Sequence, residues 1–596
     1  MGLLGSRNKT TISNDWFQII FLTCTLIIGL LLGAPLFQFV IKSSGIPLPL
    51  PLLVGVGIVG MVFAAVVVTR DAWLLGGFIS LIVLATFNAD IPFLPAANKY
   101  PTAIVGRFLL VHFPLIFLCL LAVAAGWYHD SPGVPVYLLG GFVVATVLSA
   151  IFGVRAKFIP TGFFVLYAVE IVAVVWLVEM AIRKDILTIK QLVTIFIFIV
   201  IGQAFVGVAQ LLHQGSFGLS YLGEGGAYKR VWMSLPLVGS FSIGPYVAGF
   251  TGMSFTLSIF CATAIPIVAS LAMREDGARR NLLLLSLVLL VSVIRFSAAD
   301  SVRGALILSS LSYGALLFYL RSKDVLTISL PKRTKTKGAC LVLLLLLIVL
   351  IPSHVTGNSF STPMSSNSSP IEIASHSTTH NLASGESVGV TSQKTSKGSK
   401  SASAEMKTAL KIGKVSSYER NAMSEGGKTA PVKPEESVTT ANNTTKKVSI
   451  PFFSTANLGT RFQQYGVAFD VFADHPIFGI GGINFVHIAE DYGLPVPNGY
   501  SHPRLIHNTY FALLTETGLV GFSLYMGALI CIGYYGWKLL NMNSTDPLLI
   551  SGVLAGLVGI AAFGFWNPQI YNMKITFIFW ILGGAIFGEY QKGKRQ

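Results

Sequence analysis

Runs of about 20 apolar residues recur along this chain, and each is long enough to cross the ~30 Å hydrocarbon core of a bilayer as a helix. Lipid offers no partner for backbone N–H and C=O groups, so a spanning segment must satisfy them within itself, as an α-helix does. The runs lie at roughly 16–41, 47–69, 73–92, 105–127, 135–154, 160–182, 189–212, 245–272, 281–299, 304–320, 338–354, 507–537, 547–566 and 571–589. They predict an all-α polytopic membrane protein with about 14 transmembrane helices. Only 11% of the 596 residues are charged and 53% are hydrophobic. A soluble domain carries about 25% charged residues, so most of this surface faces something other than water. The first run is too long for a signal-peptide core and lacks a clear cleavage site, so it reads as a retained span.

The formal net charge is +16. Its basic residues are scattered between apolar runs, with no aromatic–basic stripe for stacking bases. Nucleic acid is therefore not an expected partner; anionic headgroups of the bilayer and a phosphorylated substrate account for the charge. The five cysteines lie in or beside apolar runs, and their spacing suggests neither a disulfide framework nor a metal site. Short loops with Arg70, Arg183, Lys184, Lys190, Arg274, Arg279, Arg280, Arg321 and Lys323 alternate with loops poorer in base. By the positive-inside rule the basic loops and both termini are cytoplasmic, and one large loop is extracytoplasmic. The chain then divides into an N-terminal bundle of about 11 spans (1–354), an insertion (355–450), a folded loop (451–506) and the C-terminal spans with their tail (507–596). The insertion is rich in Ser, Thr and Lys and poor in aromatics, so it cannot bury enough apolar area to order itself. It reads as a solvated spacer or as a tether. Aromatic residues return from Phe452, and the segment up to 506 is expected to fold as short amphipathic helices over the membrane mouth.

Polar groups gather at the outer ends of the later spans. In HNTYFALLTETGLVG, His507 and Asn508 stand where the large loop re-enters the membrane. An imidazole titrates near pH ~6.5 and can take a proton from a sugar hydroxyl; it can equally be an interfacial polar residue. Gly518 and Gly521 would let another helix approach closely. Glu516, about 13 Å below His507 at helical rise, is either a buried hydrogen-bonder or a functional group, because a carboxylate at that depth needs partners. Arg295 and Arg303 flank the turn in RFSAADSVRGAL. A guanidinium binds phosphate oxygens in a fork, although an arginine at this level can also snorkel to headgroups. Lys229 and Arg230 precede a Gly-Ser-Phe stretch, and Arg461 and His475 flank a glycine-rich turn in RFQQYGVAFDVFADHPIFGIGGINF; His502 and Arg504 stand just before His507. GIGG lacks the Gly-Lys-Ser/Thr of a P-loop, so it does not read as a nucleotide site. Together these groups suit transfer from a polyprenyl-linked donor: positive charge stabilises departing pyrophosphate, and a base helps a hydroxyl attack.

At these residues the sequence resembles the O-antigen ligase/polymerase superfamily of bacterial membrane glycan-transfer proteins. The pattern His507, Asn508, nine residues, Gly518, two residues, Gly521 is similar to the ligase signature. ADHPIFGIGGINF resembles the preceding piece of the family's large loop, and SVRGAL its mid-fold arginine motif. The likeness runs from about residue 200 to the C-terminus. It implies a GT-C-like fold in the cytoplasmic (inner) membrane and a glycosyltransferase needing no nucleotide, cofactor or metal. Glycan would pass from undecaprenyl pyrophosphate to an acceptor hydroxyl on glycan, lipid A–core or protein. By position, His507 would be the catalytic base, and Arg303 and Arg230 the donor-binding arginines; Asn508, Glu516, Arg461, His475, His502 and Arg504 would support them. Polymerase and ligase roles both fit.

The alternative of another class is a transporter or flippase of lipid-linked glycan. It predicts an internal repeat and mid-membrane charges in both halves, neither of which the sequence displays. The topology has a direct check: a periplasm-active reporter fused near residue 400 should be active, and one fused after Gln596 silent. The reverse pattern would invert the assignment.

Overall fold

The computed structural model describes residues 70–88, 90–92, 107–153, 158–213, 230–235, 239–245, 247–297, 299–323, 455–496, 505–542 and 546–595, together with Gly215, Phe217 and Glu224. The chain divides into two units, Met1–Thr356 with Ser449–Gln596, and Gly357–Val448. Every described residue belongs to the first. The expected spans 16–41, 47–69 and 338–354, the insertion 355–450, and His502 and Arg504 lie outside the described residues.

The helices are α1 (Arg70–Thr86), α2 (His112–Ala124), α3 (Val134–Phe152), α4 (Phe158–Arg183), α5 (Ile189–His213), α6 (Ser254–Ala272), α7 (Gly277–Phe296), α8 (Asp300–Ser322), α9 (Thr455–Asp474), α10 (Phe485–Ile488), α11 (Thr509–Leu539), α12 (Pro547–Phe563) and α13 (Met573–Gly593). Two antiparallel hairpins join them, β1 (Asp90–Pro92) with β2 (Arg107–Leu109), and β3 (Arg230–Leu235) with β4 (Gly239–Pro245). Among the described residues, eight helices are long and apolar enough to cross a membrane. Three more apolar helices, Leu74–Thr86, His112–Ala124 and Pro547–Phe563, are shorter. Of the about 14 expected spans, three lie outside the described residues, eight correspond to the long helices and three to the shorter ones, so the described residues hold eight full-length spans rather than eleven. The run at 245–272 begins its helix only at Ser254, and that at 105–127 only at His112.

Helix α13 is buried along almost its whole length, as befits a helix apolar on every side. Gly584 and Gly588 set it against α4: an added Cβ would lie 3.1 Å from the Val175 carbonyl oxygen and 2.8 Å from Ile182 Cβ, respectively. Such i,i+4 pairs of small residues let membrane helices pack backbone to backbone. Helix α12 packs between α6 and α8, and α11 against α3. Phe198, Leu212 and Phe318 project from the bundle more than 70% exposed, a surface suited to lipid rather than water.

The two ends of the bundle differ chemically. At one, Lys184 pairs with Asp130 at 2.5 Å, Arg274 with Asp546, and Lys592 with Asp185, while Tyr535 stacks on Tyr590. Lys184 beside Asp130 holds that carboxyl below its usual range. At the other end, Lys574 donates to the Thr251 carbonyl at 2.9 Å and to Asn88, and Asn572 donates to Thr256 at 3.1 Å.

Helix α11 breaks at Gly518, whose φ of 65° and ψ of −173° lie outside the helical region. The expected single span 507–537 is therefore a short helix followed by a long one. Residues 519–539 alone measure about 31 Å at helical rise, enough to cross the hydrocarbon core. The break frees backbone groups, and the chain after α9 takes them up. Leu519 N–H donates to the Pro476 carbonyl at 2.8 Å, and Ile480 and Gly481 N–H donate to the carbonyls of Thr515 and Glu516 at 3.2 and 3.0 Å. A Cβ at Gly518 would lie 2.2 Å from the Ile477 carbonyl oxygen, so the close approach is of loop backbone rather than a second helix. Gly521, by contrast, does face helix α3, where an added Cβ would lie 3.5 Å from Ala145 Cβ. Gly518→Ala should destabilise the protein by at least about 2 kcal/mol, since it combines a left-handed backbone with a clash. Gly533→Ala, with nothing within 4 Å of the added Cβ, is the control. Equal thermal midpoints for the two variants in detergent would contradict this account.

Candidate active site

Asn508 makes the start of α11. Its Oδ1 accepts from the N–H groups of Tyr510 and Phe511 at 2.8 and 3.0 Å, satisfying donors that a helix N-terminus leaves open. Its Nδ2 donates to the Phe565 carbonyl at 3.1 Å. Thr509 N–H donates to the Gly564 carbonyl at 2.8 Å and its hydroxyl to that of Asn567 at 3.0 Å, while Tyr510 Oη donates to Ala561 at 2.7 Å. The re-entry strand is thus bound to the turn after α12. The other side of that turn reaches α8, where a Cβ on Gly304 would lie 3.6 Å from the Trp566 ring. Gly304 follows Arg303, so residues 564–567 connect the histidine's strand to the helix that bears the arginine.

His507 is half-buried and is held by α9. Its Nδ1 lies 2.9 Å from Gln464 Oε1, and its carbonyl accepts from Tyr465 Oη at 3.0 Å. Tyr465 Oη also reaches the Phe565 carbonyl at 3.4 Å, and its ring stacks on Phe511 with centroids 5.2 Å apart. Burial pushes the Tyr465 phenol above its usual range, partly offset by the charge of Arg461, so it stays a donor. Arg461, Gln464 and Tyr465 recur at i, i+3 and i+4 and share one face of α9. Burial lowers the Arg461 pKa.

Arg303 is 4% and Arg295 6% exposed. Neither snorkels freely into water. They occupy the first turn of α8 and the last turn of α7, close enough for their charges to repel. Arg295 Nη1 is buried with no hydrogen-bond partner among the described residues. A buried cation in this state favours an anion beside it.

Glu516 has a different place. Its Oε2 accepts from Ile483 N–H at 2.8 Å and its Oε1 from Phe485 N–H at 3.5 Å; its carbonyl accepts from Ser149 at 2.5 Å. The carboxylate holds the turn after GIGG, including Ile483, a β-branched residue at φ 62°. Strain of this kind costs about 1–3 kcal/mol and persists only where surroundings impose it. Glu516 is thus a buried hydrogen-bonder to this turn. His475 lies just beyond the far end of α9, beside Pro476, which pairs with Leu519. At helical rise that is about 16 Å from Gln464, so the fold does not bring His475 to His507. Arg230 begins strand β3, paired with Pro245, and only its backbone is described.

Gln464, Tyr465 and the 564–567 turn had not stood out in the sequence. The spacing of Arg461, Gln464 and Tyr465 on one helical turn was a usable signal for the first two. Nothing local marked Phe565 to Asn567, whose contacts with Asn508 and Thr509 span more than 50 residues.

A family model, Wzy_C, described as O-antigen ligase, matches residues 285–526. The matched segment is similar to that family from α7 to just past the break in α11, and it includes Arg295, Arg303, Gln464, His507 and Glu516. Arg230 falls outside it. No curated protein and no solved structure matches the chain.

The capping role gives a test that separates Asn508 from its neighbour. Asn508→Ala should cost about 1 kcal/mol of stability through the lost cap, read as a lower thermal midpoint. Asn508→Asp keeps the acceptor and should recover most of it. Equal losses in both would mean that the contact to Phe565, not the cap, dominates.

Proposed function

We propose that this protein is a membrane glycosyltransferase of O-antigen ligase/polymerase type, moving glycan from a polyprenyl (undecaprenyl) pyrophosphate to an acceptor hydroxyl. The observation that carries this reading is the turn 564–567, which ties the His507 segment to the start of α8, where Arg303 lies near Arg295, whose buried Nη1 has no hydrogen-bond partner among the described residues. The match of residues 285–526 to the O-antigen ligase model supports it.

In this reading Arg303 and Arg295 hold the pyrophosphate, and positive charge stabilises it as it departs. His507 takes the proton of the acceptor hydroxyl as its oxygen attacks the anomeric carbon. The bond from that carbon to the pyrophosphate oxygen breaks, its electron pair leaves with the phosphate, and a single displacement inverts the configuration. Arg295 adds a further guanidinium beside Arg303, to which Arg230 is added as the second donor-binding arginine that the resemblance implies. Asn508 and Glu516 support the site by building its backbone. The end bearing Lys184, Arg274 and Lys592 is cytoplasmic by its charge, and the site opens on the opposite side, where glycan, lipid A–core or protein acceptors would be met.

Purified protein given a polyprenyl-pyrophosphate glycan and an acceptor should form product. His507→Ala should lower kcat by about 100-fold or more, the usual scale for a lost general base. Arg303→Ala and Arg295→Ala should each raise the donor KM by roughly tenfold or more, as expected for a hydrogen bond to a charged group. Full activity in the histidine variant would end the catalytic assignment, and an unchanged donor KM in Arg295→Ala would return that residue to a structural role.

A further inference from the structure

Helix α9 grips His507 at two points. Gln464 Oε1 lies 2.9 Å from Nδ1 of the ring, and the adjacent Tyr465 hydroxyl donates to the histidine's own carbonyl at 3.0 Å. Gln464 is 1% exposed, so water does not compete for its amide oxygen. The contact fixes ring orientation from the side while Tyr465 fixes the main chain that carries the ring.

A neutral imidazole has one donor and one acceptor nitrogen, and the partner of one decides the role of the other. An amide oxygen only accepts. Facing it, Nδ1 carries the proton, and Nε2 is left with the lone pair. We propose that Gln464 is a positioning residue for the transfer reaction, holding His507 as the Nδ1–H tautomer so that Nε2 is the atom that takes the acceptor's proton. The inference rests on the reading of His507 as the base.

Gln464 also bears on the working pH. A carboxylate in its place would stabilise the imidazolium and raise the histidine's pKa. A neutral amide orients the ring without adding that charge. As the acceptor's O–H bond breaks, the proton goes to Nε2 and the oxygen forms its bond to the anomeric carbon. The pyrophosphate departs with the electron pair of the bond that breaks, and the imidazolium, still donating from Nδ1 to Gln464, then releases a proton to solvent.

The test uses the full-length protein in nanodiscs, with a polyprenyl-pyrophosphate glycan as donor, and records kcat, donor KM and the pH profile of kcat/KM. Gln464→Leu should lower kcat by about tenfold or more while leaving the donor KM near the wild-type value. Gln464→Glu keeps an acceptor at the same place; it should restore most of kcat and move the acid limb of the profile upward by about one pH unit. A wild-type kcat in a monodisperse Gln464→Leu protein would overturn the inference, as would an unmoved acid limb in Gln464→Glu. If Gln464→Leu fails to fold, the Gln464→Glu profile decides alone. His507→Ala separates the two levels: full activity there removes the base itself, whereas an inactive His507→Ala beside a wild-type Gln464→Leu removes only the positioning role.

Discussion

The break of α11 at Gly518 is the constraint from which the site follows. A helix interrupted at this point exposes backbone donors and acceptors that lipid cannot satisfy. Residues 476–481 meet them, with Leu519 donating to Pro476 and Gly481 to Glu516. That pairing fixes the far end of α9. Thr515 adds a hydrogen bond to the Ala468 carbonyl at 3.1 Å further along. With α9 fixed there, its other end falls at His507, where Gln464 and Tyr465 meet the ring and the carbonyl. The acidic side chain nearest the break, Glu516, is spent on keeping the connecting turn closed.

The site is therefore assembled from segments remote in the chain. The turn 564–567 takes hydrogen bonds from Asn508 and Thr509 and packs Trp566 on Gly304. Arg295 and Arg303 converge because α7 and α8 are joined by a short turn, which places the last turn of one helix beside the first of the other. The opposite end of the bundle carries ion pairs such as Lys184–Asp130 and Lys592–Asp185, whereas His507, Arg295 and Arg303 lie at the other end. The same alternation of helices produces both facts: these ion pairs collect at one end, and His507 and the two arginines at the other.

Much of this was legible in the linear sequence. Apolar runs set the class because a spanning segment needs about 20 of them regardless of neighbours, and His507, Asn508 and Arg303 carried recognisable spacing. The span count was less legible, because apolar composition does not fix where a helix starts and ends: the runs at 73–92, 105–127 and 547–566 hold apolar helices of 17 residues or fewer. Gly518 read as a helix contact for a similar reason: glycine permits both close packing and a left-handed backbone, and only the neighbour at Ile477 decides which.

The sequence by itself determined a polytopic helical protein with an imidazole and an arginine pair near the ends of its spans, since hydropathy and side-chain chemistry are local properties. Tertiary structure alone decided what those groups touch. It made Asn508 a cap and Glu516 a brace, left His475 away from His507, and set Gln464 against the imidazole and Arg295 beside Arg303. Hydrogen-bond partners and burial are relations between distant segments, and a spacing rule along one chain does not contain them.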